Sequence, residues 1–570
     1  MIVIEAVNPG LILMLGALFV PFLQGKGRQL FMLALPFAAA AHLLTAEHGM
    51  HGLIPFLGFD LVTFRLDQLS FVFGLIFLIA ALLGIIYSLH LKDTIQHVSA
   101  LLYSGAGVGA VFAGDLITLF VFWEVTAISS VFLIWARRTE TAYKAGMRYL
   151  IIQVGSGVLL LSGLVILAVE TGSIAFDHFN VTQMADFTPA TFLIFIAFGI
   201  KCAFPFMHNW LQDAYPQATV TGTVILSAFT TKLAVYALAR GFAGLDILIP
   251  IGATMTAFPV FFAVIENDLR KVLAYSLNNQ LGFMVVGIGI GSAMAINGTV
   301  AHAFSHILYK ALLFMGMGAV LYRVGTTKAT ELGGLYRSMP LTTIFTIIGA
   351  MSISAFPLFS GFISKSMILA AAAEEHMWLT WAILLFASAG VLEHSGIKIP
   401  YFSFFAHDSG KRPKEAPANM LIAMAITAAL CIGIGVYPAP LYAILPNHVD
   451  FEPYTIGHVV TQMQLLMFAI LAFVFLVKTK LYPPEIPSLN IDTDWLYRKL
   501  APRMVKDMRL SIREVRGNAW DLVRRATDRT IHHAYRHHGP QGIVARTWAT
   551  GSMVLWVAVL LAIVLLLYLL

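Results

Sequence analysis

Charged residues are scarce in this sequence: Asp, Glu, Lys and Arg make up 12% of it, against about 25% in soluble globular proteins. Cysteine is scarcer still. The sequence contains two, Cys202 and Cys431, which lie far apart in apolar runs. This excludes a cysteine-ligated metal site, an iron–sulfur cluster and a disulfide-stabilised secreted module. A glycine-rich loop between a strand and a helix is also lacking, which excludes the usual nucleotide-binding sites. We therefore expect no cofactor and no bound metal.

Hydrophobic residues make up 59% of the sequence and form almost continuous apolar runs. Since a spanning helix needs about 20 apolar residues, the sequence predicts an all-α polytopic membrane protein with about 16 transmembrane helices. A β-barrel would instead show short alternating segments. The predicted spans lie near residues 8–23, 29–46, 68–90, 97–114, 115–135, 146–168, 190–210, 221–241, 246–265, 271–291, 297–322, 340–358, 361–402, 418–437, 459–478 and 547–570.

The basic residues of the short loops predict the orientation of these spans. If Lys26 and Arg28 lie in the cytoplasm and each span crosses once, most other loop lysines and arginines fall on the same side. Acidic stretches such as residues 177–186 fall on the opposite side. We expect a multi-pass protein of a bacterial-type inner (plasma) membrane, with both termini outside.

The basic excess of the chain lies near its C-terminus. Between Trp495 and Arg546, twelve lysines and arginines oppose four acidic residues, whereas the whole chain has a net charge of +6. Such a segment indicates contact with lipid headgroups and does not indicate nucleic acid. Apolar positions recur at helical spacing over residues 495–535. We therefore expect an amphipathic helix along the membrane surface, followed by an anchor at 547–570.

Ionisable groups inside predicted spans are costly and are functional candidates, and five of them form the main series. They are Glu124, Lys201, Lys232, Lys310 and Lys365. One carboxylate followed by four lysines indicates lateral movement of protons between sites.

Glu124 has no oppositely charged neighbour on its own helix. We expect a partner such as Lys144 or Arg148 on the next span. A relay carboxylate and a structural ion pair both fit this arrangement.

Lys201 and Lys365 lie close to helix-breaking residues. The glycines and prolines concerned are Gly199, Pro205, Pro357 and Gly361. They predict an interruption of the hydrogen-bond ladder beside each lysine, and broken helices recur at the ion sites of transporters. The run 361–402 is too long for one straight crossing, so it contains either a broken helix or a re-entrant half plus a full span.

His302, His306 and Lys310 recur at every fourth position and therefore share a helix face. Two histidines at this spacing could bind zinc, but no nearby glutamate or cysteine completes a site. We interpret them as a polar stripe along a hydrated path, with histidines bonded to neighbouring helices as the alternative. Glu393 is a candidate relay residue near the exit, whereas snorkelling to the headgroups would explain Lys398.

Several segments resemble signature segments of the antiporter-like membrane subunits. The family spans the large subunits of Mrp-type multisubunit cation/proton antiporters, with the D-type among them, and the proton-pumping arm of respiratory complex I. The resemblance covers roughly residues 65–405. It rests on the segments GDLITLFVFWEVTAISS, GIKCAFPFMHNWLQDAYP, ENDLRKVLAYSLNNQLGFM, HAFSHILYKALLF and FPLFSGFISKSMI.

The resemblance implies two inverted five-helix repeats, each with a half-channel and a broken helix. It makes Glu124 the entry-side glutamate, Lys201 its partner, Lys232 and Lys310 the connecting lysines, and Lys365 the terminal lysine. The supporting proton path would comprise Arg148, His208, His302, His306 and Glu393. The implied regions are N-terminal helices (1–96), a first repeat (97–241), a second repeat (242–437), an additional helix with a linker (438–490), the basic lateral helix (491–546) and the anchor (547–570).

Two features depart from the family pattern. Gln212 stands where the family has proline after its HxWL motif, here HNWLQDA. The long surface helix is similar to that of the distal member of the complex I arm and is not typical of the Mrp D-type. These features leave the parent complex open.

The function implied by the resemblance is proton translocation within a multisubunit Na⁺ or K⁺/proton antiporter, where the chain serves ion transport and is not itself an enzyme. The alternatives are the same module in a redox-driven, complex I-like quinone oxidoreductase, or a membrane subunit for inorganic-carbon uptake. A structural scaffold is disfavoured, because every expected ionisable position is filled. The expected partners are other membrane subunits, protons, Na⁺ or K⁺ and the bilayer, with no nucleic acid.

Overall fold

The computed structural model describes residues 6–482, 485–486 and 490–570, and the chain divides into two compact units between Asn490 and Ile491. The first unit is helical apart from one hairpin. Its helices are α1 (Pro9–Phe19), α2 (Gly25–Thr45), α3 (Gln68–Ser88), α4 (Thr94–Val111), α5 (Leu116–Trp135), α6 (Glu140–Thr171), α7 (Pro189–Cys202), α8 (Asn209–Ala214), α9 (Val220–Leu226), α10 (Thr230–Gly241), α11 (Leu248–Ile265), α12 (Leu269–Ile290), α13 (Ala293–Val324), α14 (Pro340–Ile353), α15 (Ser360–Glu374), α16 (Trp378–Phe405), α17 (Ala418–Val436), α18 (Ala439–Tyr442) and α19 (Ile456–Lys478).

Short polar side chains start many of these helices. Each accepts a hydrogen bond from a backbone N–H of the first turn, a group that has no partner within the helix. The capping residues are Asp67, Asp93, Asp115, Thr139, Thr188, Thr219, Asp268, Ser292 and Thr455. These caps help to explain why helices begin at these points in a chain that is apolar almost throughout.

The helices α12 and α13 form the centre of the first unit. Over the most apolar stretch of α13, 94% of the residues are buried, and this helix packs against α12, α14 and α15. A helix that is buried all round does not need a polar outer face. The polar residues of α13, His302, His306 and Lys310, therefore lie in the interior and do not face solvent.

A β-hairpin corrects the all-α prediction. The strands β1 (Gly49–Phe56) and β2 (Phe59–Leu66) pair antiparallel. Leu57 and Gly58 form the turn with φ of 50° and 85°, a conformation that suits the twist of a two-residue hairpin turn. The strand pattern was missed because these residues lie between two strongly apolar predicted spans.

The sixteen predicted spans each contain a helix. Within the described residues, eleven helical segments are long and apolar enough to cross a membrane, and α1, α7 and α14 belong to shorter apolar helices. The remaining two predicted spans coincide with the more polar α4 and α12. The mostly helical membrane architecture is thus confirmed, while the number of crossings and the inverted repeats stay predictions.

The long run 361–402 consists of two helices. α15 ends at Glu374 and α16 begins at Trp378, so a half-length helix precedes a full-length one. The end of α16 contains two π-helical turns, Leu392–Ile397 and Tyr401–Phe405, an irregularity that is frequent at functional sites.

The second unit contains two long helices. α20 (Ala501–His538) has 38 residues, and α21 (Thr550–Leu569) is apolar enough to span a membrane. The predicted helices at 495–535 and 547–570 are therefore confirmed as helices. The surface position of α20 stays a prediction.

An ionic cluster joins the hairpin to the ends of α3 and α10. Asp67 accepts hydrogen bonds from Arg240 (2.8 Å) and Arg65 (3.1 Å), and it also caps α3 through Ser70. Burial alone would raise the pKa of Asp67. The hydrogen bond and charge of Arg240, the Ser70 N–H and the charge of Arg65 outweigh burial and lower the pKa to about 2.

We expect Asp67→Asn to lower the melting temperature at pH 7 by several degrees. The folded-state pKa of about 2 lies below the ordinary value of 3.8, so the ionised carboxylate stabilises the fold above about pH 4 and this contribution is lost as the pH falls toward 2. The difference between the variant and the wild type should therefore shrink in acid. Melting curves between pH 3 and pH 7 test this, with exposed Asp60→Asn as the control; a pH-independent difference would contradict it.

Candidate functional site

Two helix breaks share a sequence and a backbone shape. Each contains Ala-Phe-Pro followed by an apolar residue, at 203–206 between α7 and α8 and at 355–358 between α14 and α15. The first and fourth residues of both segments have positive φ: 64° and 67° in the first break, 59° and 73° in the second. Non-glycine residues rarely adopt this conformation. The breaks predicted near Lys201 and Lys365 are therefore confirmed, and their four-residue segments match, although Lys201 precedes the first break and Lys365 follows the second.

Lys201 lies near the end of α7, before the first break, and is fully buried. Its Nζ donates hydrogen bonds to the Trp123 carbonyl oxygen at 2.8 Å and to Thr126 Oγ1 at 2.9 Å. The ammonium also lies 4.1 Å from the centre of the Trp123 ring, a cation–π contact. These acceptors flank Glu124 on α5, so the structure brings Lys201 and Glu124 together.

Glu124 occupies a half-buried position on α5. Its Oε1 is buried without a hydrogen-bond partner among the described residues. Gly157 of α6 gives it room, because a Cβ at that position would overlap Oε1. The absence of a side chain at Gly157 thus leaves space for the carboxylate, which interacts electrostatically with Lys201.

The predicted partners of Glu124 are wrong. Arg148 donates two hydrogen bonds to the Asp213 carboxylate, at 2.7 and 3.0 Å. Lys144 pairs with Glu140 one helical turn away, at 2.6 Å. Both basic residues lie on the long helix α6, but Arg148 contacts Asp213 of α8 and Lys144 contacts Glu140 in the first turn of α6 itself.

Lys232 and Lys365 both donate to carbonyls at helix ends. Lys232 Nζ lies 2.7 Å from the carbonyl oxygen of Ser227, in the short interruption between α9 and α10. Lys365 Nζ lies 3.0 Å from the carbonyl oxygen of Ile353, the last residue of α14. The last carbonyls of a helix have no partner within it, so each interruption supplies an acceptor for a buried ammonium.

Lys310 begins a hydrogen-bonded chain that reaches α16. Its Nζ donates to Ser276 Oγ at 2.8 Å, and Ser395 Oγ donates to the same atom at 2.7 Å. Ser395 in turn contacts His394 Nδ1 at 2.8 Å. All four side chains are buried, so a polar connection crosses from the centre of the unit to the π-helical stretch.

His302 and His306 differ in their surroundings. His302 Nδ1 lies 3.1 Å from Ser364 Oγ, beside Lys365, while its Nε2 lies 3.4 Å from the Tyr309 hydroxyl. His306 stacks against His302 with ring centres 6.1 Å apart. Within the described ranges, neither ring nitrogen of His306 has a hydrogen-bond partner. Among the described residues, His302 therefore hydrogen-bonds to neighbouring side chains, whereas His306 does not.

The remaining predicted site residues are His208 and Glu393. His208 is buried between α7 and α8, with its ring centre 4.7 Å from that of Phe258. Glu393 is half-buried in the first π-helical turn of α16. In the described part of the chain, no group of three or more His, Cys, Asp or Glu residues could hold a metal ion.

The sequence interpretation missed the hydroxyl groups that connect the ionisable ones. Ser276, Ser364 and Ser395 contact Lys310, His302 and His394. A serine in an apolar helix is not distinctive by itself. The repeated Ala-Phe-Pro motif was the available signal, since it marks both breaks.

Sequence comparisons identify relatives along most of this chain. Residues 113–391 match the family described as NADH:quinone oxidoreductase/Mrp antiporter, transmembrane region. A Na⁺/H⁺ antiporter subunit of Alkalihalophilus pseudofirmus is 31% identical over 484 residues, which cover 74% of this chain and 60% of that protein. Hydrogenase-4 component B of Escherichia coli is 27% identical, over 65% of this chain and 62% of that protein. The chain therefore spans about three-fifths of the length of these two relatives.

Two solved structures share the fold. The structure of the Mrp complex from Dietzia sp. DQ12-45-1b aligns with a TM-score of 0.76 at 24% identity, over 92% of this chain and 62% of that chain. A chain of the membrane-bound sulfane sulfur reductase, an archaeal respiratory membrane complex, aligns with a TM-score of 0.69 at 23% identity, over 82% of this chain and 99% of that chain. With its broken helices, its row of buried lysines and these relatives, the chain belongs to the family of antiporter-like membrane subunits shared by Mrp antiporters and complex I.

Proposed function

We propose that this chain is a proton-translocating subunit of a multisubunit Na⁺ or K⁺/proton antiporter in a bacterial-type plasma membrane. The observation that carries the proposal is the row of fully buried lysines whose ammonium groups are held mainly by neutral oxygens. Lys201, Lys232, Lys310 and Lys365 make up this row. The name of the Alkalihalophilus relative, which describes a Na⁺/H⁺ antiporter, supports cation exchange.

Water is the remaining element of such a path. Buried polar groups almost always have a hydrogen-bond partner, from protein or from ordered water. Several buried side chains on α6, α8, α12 and α13 have polar atoms without a protein partner among the described residues. They are Gln153, Gln212, Asn278, Ser305 and His306. Hydration of these groups would connect Glu124 and Lys201 to the central lysines.

Charge repulsion would carry the signal along the row. Two ammonium groups about 10 Å apart repel by about 1.7 kcal/mol at an effective dielectric constant of about 20. Protonation of one lysine then favours release from the next. In this mechanism Glu124 takes up protons on the entry side, Lys201 receives them, and Lys365 passes them toward the exit.

A second candidate is the same module in a redox-driven membrane complex. The similarity to hydrogenase-4 component B, at 27% identity, favours it, because the hydrogenase name describes a redox assembly. Purification of the complex through this chain would separate the candidates. Small membrane proteins alone support the antiporter, whereas iron–sulfur or flavin proteins support the redox complex.

We expect Lys201→Ala to reduce cation-dependent proton flux in vesicles by about a hundredfold, the scale of a lost proton-transfer group. The exposed Lys144, which pairs with Glu140, provides the control, and Lys144→Ala should keep normal flux. Assembly of the complex should be unchanged in both variants. Wild-type flux in an assembled Lys201→Ala complex would contradict the relay role.

Glu124 should act through its charge and not through its size. Glu124→Gln keeps the shape that Gly157 accommodates but cannot carry a proton, so proton uptake should fall strongly, while Glu124→Asp should retain part of it. Proton uptake after a pH jump measures this, with Glu140→Gln as the control. If glutamine works as well as glutamate, the carboxylate is merely structural.

We expect truncation after Asn490 to weaken the assembly while the first unit stays folded. The removed part contains α20, whose 38 residues reach about 57 Å at about 1.5 Å per residue, long enough to extend along neighbouring subunits. Co-purification of the partners in detergent and the melting temperature of the truncated chain test the two effects separately. Recovery of all partners at the wild-type yield would leave only membrane adhesion as the role of this unit.

A further inference from the structure

Lys398 lies outside the row of relay lysines, and oxygen atoms enclose its ammonium. Nζ donates hydrogen bonds to the carbonyl oxygens of Val264 (2.6 Å), Glu266 (2.7 Å) and Ala263 (3.4 Å). Glu485 Oε1 lies 2.8 Å from the same nitrogen. The Lys398 side chain is fully buried, so the snorkelling interpretation is wrong.

The oxygens come from two separate segments of the chain. Ala263 and Val264 belong to the last turn of α11, where carbonyls lack partners within the helix and carry the negative end of its dipole. Glu266 follows the helix in an extended conformation, with φ −78° and ψ 133°. Glu485 lies in the segment after α19. We call the three carbonyl oxygens and the Glu485 carboxylate the Lys398 oxygen site.

Four oxygens lie within 3.4 Å of Lys398 Nζ, one more than the three N–H donors of an ammonium. The three shorter contacts, to Val264, Glu266 and Glu485, satisfy these donors, and the Ala263 carbonyl at 3.4 Å is additional. The Glu485 carboxylate also brings a negative charge, and its side chain is only 8% exposed. Its Oε2 has no hydrogen-bond partner in the described part of the structure. The site therefore has more acceptors than the lysine uses.

Such a set of oxygens suits an alkali cation. Carbonyl oxygens replace the hydration shell of K⁺ in channels, and the C-terminal ends of half-helices coordinate cations in transporters. An ammonium and K⁺ have the same charge and a similar size, so oxygens spaced around Nζ suit K⁺ better than the smaller Na⁺. The carboxylate balances the charge of either occupant.

We propose that the Lys398 oxygen site binds a monovalent alkali cation, K⁺ in preference to Na⁺, in competition with the protonated Lys398 amine. When the cation enters, Nζ releases one proton to water and the neutral amine remains, so the net charge of the site is unchanged. The proposal rests on the proposed antiporter function, for which it supplies the position where cation and proton exchange.

Other ionisable groups surround the site. Glu266 accepts hydrogen bonds through Oε1 from the N–H groups of its own turn, and its Oε2 lies 2.8 Å from Lys271 Nζ and 3.2 Å from Asn490 Nδ2. This carboxylate is therefore already occupied. Among the described residues, the titratable groups that interact with Lys398 include Glu393, His394, Glu266 and Glu485. Lys271 of α12 pairs with Glu266, and Tyr482 interacts with Glu485 and Glu393.

The test uses the complex purified through the full-length chain, and compares melting temperatures in KCl, NaCl and N-methylglucamine chloride at equal ionic strength. For wild type we expect K⁺-specific stabilisation that increases between pH 6 and pH 9, because the amine must lose its proton first. Lys398→Ala should show K⁺ stabilisation already at pH 7. Lys398→Arg places a positive charge in the site that does not titrate, so this variant should show no K⁺-specific stabilisation at any pH.

Two further variants identify the oxygens and control for the charge change. Glu485→Gln in the Lys398→Ala background should remove the K⁺ effect, while Lys328→Ala, at an exposed ion pair with Glu331, should behave as wild type. Addition of KCl to unbuffered wild-type complex should release protons, and addition to Lys398→Arg should not.

The measurements distinguish failure of the proposed cation site from failure of the proposed antiporter function. If no variant changes the response to K⁺ while cation-dependent proton flux in vesicles is normal, the Lys398 oxygen site is only a helix cap and the antiporter function stands. If K⁺ binds as described but the complex carries no cation-coupled flux, the site stands and the proposed function fails. Equal stabilisation by K⁺ and Na⁺ would overturn the stated preference. If Lys398→Ala does not assemble, the wild-type pH dependence and Lys398→Arg still decide the question.

Discussion

A buried ammonium group must find acceptors for three N–H bonds in a region without bulk water, and much of this architecture follows from that need. Carbonyls inside a continuous helix already accept one bond from within the helix, and a second bond to the other lone pair, as at Trp123 in α5 for Lys201, is an additional acceptor. Interruptions release carbonyls, and Ser227 and Ile353 provide the acceptors for Lys232 and Lys365. At the second Ala-Phe-Pro segment, the positive φ angles of Ala355 and Leu358 accompany the helix end that leaves the Ile353 carbonyl for Lys365.

The basic residues of the first unit fall into two kinds according to the groups they contact. Some pair with carboxylates, and the lysines proposed to carry protons contact neutral oxygens. Arg148 and Arg240 form ion pairs with aspartates, which favour the charged state and hold helices together. The lysines of the proposed relay instead donate to carbonyls and hydroxyls. A neutral acceptor does not leave an uncompensated buried charge when the proton departs, whereas a carboxylate does. Sequence position alone does not reveal this difference, since both kinds of basic residue lie on apolar helices.

The parts of the fold that follow from local chemistry could be predicted. Apolar runs predict the helices, and glycine and proline near Lys201 predict the break at Ala203. The hairpin was missed because alternation is weak evidence inside a strongly apolar sequence. The partner of Glu124 was predicted wrongly because α6 is 32 residues long, so charge complementarity between neighbouring helices does not determine which turn faces the carboxylate.

The π-helical end of α16 connects features that the sequence presents separately. Ser395 lies within the first π-helical turn and Lys398 directly follows that turn. Ser395 contacts Ser276 and thereby the Lys310 chain, whereas Lys398 contacts the end of α11. Both contacts originate within four residues of one helix. A shift of this stretch would therefore change the surroundings of Lys310, in the proposed proton path, and of Lys398 at the same time. In the proposed mechanism, a local rearrangement of α16 would therefore couple proton transfer to events at the Lys398 oxygen site.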